Sequence, residues 1–475
     1  MKKFAIALAA LASAVLPAAS TITLPSIISP HMVLQQQSDA RLWGWATPGA
    51  EISVHPQWLG EAVVAIADST GRWDVTVSTP EASMTPCTIG FRGDGSEITV
   101  DDVLIGEVWF CSGQSNMEMT FSGYTNQPID GADQAIASTL QYPHIRMARV
   151  HKRLSEEPQD SARAPWRKVS PQNVRTMSAL CYFFARELTD MLHVPVGIID
   201  CSYDGTRIEG WLSADRLNTY PEIDLEAERT DGRPDQWHRS NLLYNGMLYP
   251  VRGYNVKGFL WYQGYSNIGE HELYASRQHD FVTDLRKEWA DTTLPFIFVE
   301  MPPLHCQHPD SIEAALFREA QLRAEDITPR TRMVGTSDIA YPHEVHVIHG
   351  SRKGDIARRM AWMAADLAYG IEGLPTDYPR FDSIAIEPDR AVITLVNAPN
   401  GLTPHFDMPG FEVAGTDGVF RPAKAHVDWI TRAIIVELPA GTDRIESVRY
   451  NFRNFNTESV HNLIGLPLTP FRTDK

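Results

Sequence analysis

The chain has 475 residues, of which 43% are hydrophobic and 21% are charged, so it is neither globally disordered nor confined to one small core. Its 42 basic residues against 59 acidic ones give a net charge of -17 at pH 7. This surplus of negative charge argues against nucleic acid or an anionic membrane surface as a partner.

Residues 1–19 have the composition of a secretory signal peptide. Lys2 and Lys3 form a charged start, an apolar stretch follows, and small residues at 18–20 provide a cleavage region. The apolar stretch is too short and too rich in alanine to span a membrane, and no later segment has about 20 uninterrupted apolar residues. We therefore expect a secreted or periplasmic protein without membrane insertion.

Residues 20–103 have the sequence pattern of a small N-terminal β domain. Short β-like runs at residues 40–45 and 51–54 are separated by turn residues such as Pro48 and Gly49.

Residues 104–375 combine apolar strand candidates with amphipathic helices. The strand candidates are residues 107–111, 196–201, 256–262, 296–301 and 333–336. Between them, apolar residues such as Leu180, Phe184 and Leu188 recur with helical spacing. This alternation predicts a parallel sheet in a three-layer α/β/α sandwich. Functional residues are then expected on the loops at the carboxyl ends of the strands.

Residues 376–475 again contain short β-like runs, at 391–396, 433–438 and 447–450. This pattern predicts a C-terminal β domain. The five cysteines are scattered along the chain without a CxxC motif or metal-type spacing. Because their number is odd, at least one thiol is free, and no disulfide framework is expected.

Ser115 is a candidate nucleophile, because it follows the first strand candidate of the α/β region on a short turn. The backbone N–H groups beyond such a serine favour a developing negative charge. Met117 stands where a G-x-S-x-G elbow would have its second glycine, which argues against an ordinary α/β-hydrolase. Taken alone, a serine in this position is more often a helix cap than a nucleophile.

Two further loops follow strand candidates and supply possible hydrogen-bond donors. Gly205 lets its backbone N–H approach a ligand closely, and Asn267 carries a neutral amide. Together with the N–H of Ser115, these two residues predict an oxyanion hole with three donors.

A general base is expected in the segment after the last strand candidate, which contains His343, His346 and His349. Only His346 and His349 are close enough to share a metal, and no cysteine or second cluster completes a zinc site, so no metal is predicted. A single histidine that acts on Ser115, oriented by a carboxylate, fits the segment better.

Several longer motifs resemble the sialate O-acetylesterase family. They are GEVWFCSGQSNMEM at 106–119, GTRIEGW at 205–211, LWYQGYSN at 260–267, FREAQ at 317–321 and GLPLTPFRTD at 465–474. The resemblance covers nearly the whole chain after the signal segment. It implies an SGNH-type fold flanked by the two β domains, and hydrolysis of acetyl esters on sialic acids. It also implies Ser115 as nucleophile and Gly205 and Asn267 as oxyanion donors.

The chain departs from the family pattern near these motifs. Tyr265 stands where the family usually has glutamate, and Asp204 replaces the first of two paired glycines. The family's Ile-His-Pro segment, with a lysine four residues after the histidine, aligns with Ile348-His349-Gly350 and Lys353, so His349 is preferred over His346 as the base.

The acid that orients His349 is left open by the sequence. His346 occupies the position, three residues earlier, where SGNH enzymes commonly hold aspartate. Asp338 at a strand end and Glu344 on the loop are the candidates, with Asp338 preferred, and a dyad without an acid is the alternative.

The expected reaction is two-step acyl transfer without a cofactor, acting on an acetylated sugar or glycan. Gln114, Arg207 and Gln263 are expected to contact the substrate. Arg207 would pair with a sialic acid carboxylate, and a structural salt bridge is an equally good interpretation of that residue.

Three rival interpretations remain on sequence grounds. The first is an esterase that acts on acetylated xylan or another plant glycan. The second is a non-catalytic carbohydrate-binding protein on an esterase scaffold. The third, Cys111 or Cys201 as nucleophile, is weak because both thiols lie within strand candidates.

Overall fold

The structure, a computed structural model, describes residues 21–306, 308 and 311–474. The predicted signal peptide at residues 1–19 lies outside the described residues, so export stays a prediction. Within the described residues, every helix is too short or too polar to cross a membrane.

The strands of the described chain follow one another in this order: β1 (Val33–Gln35), β2 (Asp39–Trp45), β3 (Glu51–Pro56), β4 (Val63–Ile66), β5 (Arg72–Ser78), β6 (Ser83–Gly93), β7 (Ser96–Gly113), β8 (Ile145–Arg149), β9 (Trp166–Lys168), β10 (Val196–Ser202), β11 (Gly258–Tyr262), β12 (Phe296–Val299), β13 (Thr331–Val334), β14 (Arg380–Ile386), β15 (Arg390–Val396), β16 (Leu402–Thr403), β17 (Phe411–Ala414), β18 (Arg421–Pro422), β19 (Ala425–Val427), β20 (Ile434–Glu437), β21 (Ser447–Tyr450), β22 (His461–Asn462) and β23 (Phe471–Arg472).

The α-helices are α1 (Ser115–Glu118), α2 (Ala132–Ser138), α3 (Ala179–Leu192), α4 (Ala214–Leu217), α5 (Leu225–Thr230), α6 (His271–Glu288), α7 (Glu313–Ile327) and α8 (Lys353–Tyr369). Each strand predicted within residues 104–375 overlaps an observed one. Strand β8 and helix α7 were not predicted as elements.

The main sheet is mixed, and β7 is its central strand. The carboxyl-terminal part of β7 pairs in parallel with β10 on one side and β11 on the other. Its amino-terminal part pairs antiparallel with β6. The strand order β13-β12-β11-β7-β10-β8-β9 is parallel except for β9 at the edge. The predicted domain boundary between residues 103 and 104 falls inside β7, and the domain limits stay predictions.

Helices cover both faces of this sheet because successive side chains of its strands point to opposite sides. In β11, Phe259 packs in the same hydrophobic cluster as Phe281 of α6 and Phe317 of α7. The next residue, Leu260, packs in a second cluster that contains residues of α3 and α8 such as Met360.

The carboxyl-terminal region forms further antiparallel sheets, including β14-β15-β20-β19 and β18-β17-β21-β23. These strands share a separate hydrophobic cluster around Ile393, Val413 and Val448. The fold is therefore mixed α/β, with one large mixed sheet and additional antiparallel sheets. Since β7 lies between β10 and β11, the loops that follow these three parallel strands meet at one edge of the sheet.

Candidate active site

Ser115 lies at the start of α1, two residues beyond the end of β7. Gly113 makes the sharp turn possible, because its φ is 135° and a Cβ there would lie 2.3 Å from the carbonyl oxygen of Tyr262. The Ser115 side chain is buried, with 6% exposure, and its hydroxyl makes no hydrogen bond within the described residues. The serine is thus held at the carboxyl edge of the sheet with its oxygen uncommitted.

The residues on either side of Ser115 fasten this turn to two other loops. Gln114 Oε1 accepts a hydrogen bond of 2.9 Å from the backbone N–H of Gly264, in the loop after β11. Asn116 Nδ2 donates one of 2.8 Å to the carbonyl oxygen of Ile348. The residue after the predicted nucleophile is therefore hydrogen-bonded to the residue before the predicted base.

His349 is oriented by an amide rather than by a carboxylate. Its Nδ1 lies 2.6 Å from Oε1 of Gln127, and its Nε2 is buried without a partner among the described residues. Because an amide oxygen only accepts, Nδ1 carries the proton and Nε2 keeps a free lone pair. The ring packs against Tyr124, with 4.6 Å between the ring centroids.

Burial, reinforced by the positive charge of Lys353, lowers the pKa of His349 to about 4. The side chain is therefore a neutral imidazole at ordinary pH, as a general base must be. Lys353 is itself fully buried, and its Nζ donates to Oδ1 of Asn116 at 2.5 Å. Burial lowers the pKa of this lysine to about 7, and the nearby Glu344 opposes the shift.

The other candidates in the base segment have different partners. His346 packs against His305 at 4.8 Å, and His343 stacks on Tyr341 at 5.4 Å. Glu344 is buried, and its two oxygens accept the backbone N–H groups of Tyr341 and Ser351 at 2.8 and 2.9 Å.

The structure does not bring Asp338 to His349, which corrects the preferred choice of orienting acid. Its carboxylate receives two hydrogen bonds from Arg359, of 2.8 and 2.7 Å, and lies 3.2 Å from Nε2 of His461. Burial alone would raise the pKa of Asp338, but the hydrogen bonds from Arg359 and His461 and the charge of Arg359 hold it well below its usual range. Its position at a strand end was the only sequence signal, and that signal did not reveal these partners.

Gly205 lies in the loop after β10 with a left-handed φ of 70°. Within the described residues, the backbone N–H groups of Ser115 and Gly205 donate to no other group. Both are therefore free to bind an oxyanion.

Asn267 is placed differently from the expectation that it is the third donor. Its Nδ2 donates to both Glu209 and Glu270, at 3.0 Å each, and its Oδ1 accepts from Gln263 Nε2 at 2.8 Å. Since the amide has two protons and both go to carboxylates, no donor is left for a substrate.

The three predicted substrate contacts fall into two groups. Gln114 and Gln263 line one small cavity between the serine turn and the loop after β11, together with Asn116, Tyr265 and Ile348. Within it, the Gln263 amide is bound to Thr206, Asn267 and Tyr274.

Arg207 lies outside the lining of that cavity. It forms ion pairs with Glu270 and, at 3.3 Å, with Glu209. Because two carboxylates neutralise its charge, the salt-bridge interpretation describes this residue.

The five cysteines are free thiols. Burial raises the pKa of Cys111 and of Cys201 well above the usual value, so neither is a thiolate at neutral pH. This removes the physical basis for a cysteine nucleophile.

Sequence reasoning missed Gln127 and Tyr124, which belong to the loop between α1 and α2. No motif marks either residue, and Gln127 is 222 positions from its partner His349. It also missed the cationic segment after β8, where Arg149, His151, Lys152 and Arg153 follow one another with only Val150 between them.

The sheet, the loops at its carboxyl edge and the similarity to known proteins place the chain in the class of carbohydrate esterases. The family model described as carbohydrate esterase, sialic acid-specific acetylesterase, matches residues 105–365. The chain belongs to this family, which confirms the resemblance drawn from its motifs.

Relatives cover nearly the whole chain. The sialate O-acetylesterase of Mus musculus is 26% identical over 94% of this chain and 93% of its own length. The human enzyme of the same name is 26% identical over 78% of this chain and 75% of its own. A crystal structure of a carbohydrate acetylesterase from Xanthomonas citri superposes with a TM-score of 0.85 and 30% identity, covering 96% of this chain and all of that one.

Proposed function

We propose that the chain hydrolyses O-acetyl esters on sialic acids, in an SGNH-type fold, with Ser115 as nucleophile and His349 as general base. The observation that carries the proposal is the state of the His349 ring. Nδ1 is held by Gln127, while Nε2 is buried, unprotonated and without a partner in the described chain. The uncommitted hydroxyl of Ser115 lies on a turn that is fastened to the residue before His349.

In the first step, Nε2 of His349 takes the proton of Ser115 as its oxygen attacks the acetyl carbonyl carbon. The N–H groups of Ser115 and Gly205 hold the oxyanion. The bond to the sugar oxygen then breaks, and His349 returns the proton to the leaving hydroxyl. His349 then takes a proton from a water molecule as that water attacks the acetyl-serine, and it passes the proton to the Ser115 oxygen as the acyl bond breaks and acetate leaves.

Sialic acid is the proposed substrate because the family description and the names of the mammalian relatives specify it. The Xanthomonas citri enzyme is described as a carbohydrate acetylesterase without a named sugar. Tyr265, which is 40% exposed, lines the cavity at the serine turn where the family pattern has glutamate. An acetylated plant glycan is therefore the second candidate substrate.

Acetate release from O-acetylated sialic acid, acetylated xylan and 4-nitrophenyl acetate tests the proposal. We expect higher kcat/KM on the sialic acid than on xylan, and loss of all three activities in Ser115→Ala. The control is Ser122→Ala, since Ser122 is exposed in the same segment and only donates to a backbone carbonyl. A preference for xylan would show that sialic acid is not the preferred substrate. Activity retained in Ser115→Ala would overturn Ser115 as the nucleophile.

A further inference from the structure

A second cavity, of about 180 Å³, opens at the carboxyl end of β8. Its lining is partly apolar, from Met147 and Met177, and partly charged, from Arg149, Arg167 and Asp200. An apolar wall with a few charged groups is the usual composition of a small-molecule site. None of these residues takes part in the proposed acyl transfer.

The charge at the rim of this cavity is positive, against the net charge of -17 for the whole chain. His151 also lines the cavity, and burial together with the guanidinium groups of Arg163, Arg149 and Arg167 lowers its pKa. Arg149 and Arg167 thus line the cavity, and the charge of Arg163 also acts on His151. This is the local cationic field that an anionic ligand needs on an acidic protein.

Of the two arginines that line the cavity, Arg167 is the one without an ionic partner among the described residues. It lies on the edge strand β9, is exposed, and within the described residues its side chain makes no ion pair or hydrogen bond. Arg149, in contrast, is bound to Glu118 Oε1 at 2.5 Å. A free guanidinium offers two parallel N–H groups to a carboxylate, which is the pairing that arginine makes best.

Asp200 contributes the acidic group of the lining. It is buried, and Ser202 Oγ donates to its Oδ1 at 2.5 Å. Burial raises the pKa of Asp200 to about 6, and the carboxyl is still mainly ionised at neutral pH. Asp200 is buried, whereas Arg167 is exposed and is therefore the charged group of the lining that a ligand can reach.

Arg149 connects the cavity to helix α1, which carries the proposed nucleophile. Glu118, the partner of Arg149, belongs to the same short helix α1 as Ser115. Tyr124, whose ring packs on His349, has its pKa raised by burial and by the charge of Glu118, while Arg149 opposes the rise. Arg149 is thus within electrostatic reach of the tyrosine that contacts the proposed base.

We propose that this cavity binds the carboxylate of the sugar that carries the acetyl group, with Arg167 as the guanidinium that pairs with it. The inference rests on the proposed function, because it takes the substrate to be a sugar acid. It also supplies a carboxylate site now that Arg207 is neutralised by Glu209 and Glu270.

Calorimetry on the full chain tests the proposal with N-acetylneuraminic acid, which has no O-acetyl group to hydrolyse, and with its methyl ester. We expect the acid to bind about tenfold or more tightly than the ester, as a charged pair with arginine predicts. Arg167→Ala should remove this preference and Arg167→Lys should restore part of it. Arg92→Ala is the control, since Arg92 is an exposed arginine on β6.

Equal binding of acid and ester, or an Arg167→Ala variant that keeps the preference, would overturn the carboxylate site. No binding of the acid would overturn it as well if the protein hydrolyses O-acetylated sialic acid. A failure of the proposed function would appear separately, as a preference for acetylated xylan or as hydrolysis that does not depend on Ser115.

Discussion

Nδ1 of His349 lies 2.6 Å from the side-chain oxygen of Gln127, where a serine hydrolase triad would place a carboxylate. The amide fixes the tautomer and the orientation of the ring, but it adds no charge to stabilise an imidazolium. This is consistent with the low pKa of His349, about 4, which burial and Lys353 produce without an opposing acid in hydrogen-bond contact.

Two substitutions of Gln127 therefore distinguish the effect of orienting the His349 ring from the effect of placing a negative charge beside it. Gln127→Ala should lower kcat/KM by about 100-fold, because the ring loses the one hydrogen bond that it makes within the described residues. Gln127→Glu should keep the orientation and stabilise the imidazolium, which raises the pKa of His349. The rising limb of the pH profile of kcat/KM for 4-nitrophenyl acetate should then move to higher pH.

The control for this charge change is Gln134→Glu, because Gln134 is exposed on the neighbouring helix α2. Its profile should match that of the wild type. A Gln127→Glu profile with an unshifted acidic limb would show that His349 does not govern activity.

We expect substitution of His349 to lower kcat strongly and substitution of His346 to change it little. His349→Ala should lower kcat by about 100- to 10,000-fold, the usual contribution of a general base. His346→Ala should stay within a few-fold of the wild type, because His346 only packs against His305. Single-turnover kinetics on the two variants compare them directly, and a larger loss in His346→Ala would reverse the assignment.

The parts of the fold that could be predicted are those with a local signal. Strands such as β10 and β11 are buried along their whole length, so they appear in the sequence as continuous apolar runs. The turn at Ser115 also has a local cause, in the glycine that precedes it. Strand β8 is a five-residue segment with two arginines and gave no such signal.

The parts of the site that could not be predicted depend on partners far apart in the chain. The sequence places Asp338 at the expected end of a strand, as a triad acid would be, but its carboxylate binds Arg359 of α8 and lies beside His461, which is 123 positions away. Asn267 has the residue type of an oxyanion donor, yet its amide donates a hydrogen bond to Glu209, 58 positions away. Residue type and strand-end position carry no information on such pairings.

Asp338→Asn should therefore affect stability more than catalysis. Removing the carboxylate leaves Arg359, which is 8% exposed, without its ionic partner, at a cost of about 3 kcal/mol in the free energy of unfolding. The kcat of the folded variant should remain within about tenfold of the wild type, whereas loss of a triad acid typically costs about 10,000-fold. Urea unfolding and kcat are measured on the same sample. Asp74→Asn, in an exposed pair with Arg41, is the control.

Asn267→Ala gives a similar contrast for the oxyanion hole. Its hydrogen bond to Glu209 is buried and the one to Glu270 is partly buried, so their loss should lower the free energy of unfolding by about 2 kcal/mol. The kcat should fall less than the 100- to 1,000-fold that an oxyanion donor typically contributes. Asn218→Ala, at an exposed position, should change neither quantity. A large loss of kcat without a loss of stability would return Asn267 to the oxyanion hole.

Lys353 should make the stability of the protein rise with pH above neutrality. Burial lowers its pKa to about 7 in the folded chain from 10.5, so between these values the unfolded chain binds more protons than the folded one. Stability rises with pH wherever that holds, and this lysine should contribute a gain of about 2 kcal/mol between pH 7 and pH 9. Lys353→Met should lose that gain, while Lys287→Met, at an exposed lysine, should keep it. Urea unfolding at the two pH values measures the difference, and equal slopes for wild type and Lys353→Met would show that Lys353 is charged in the folded protein.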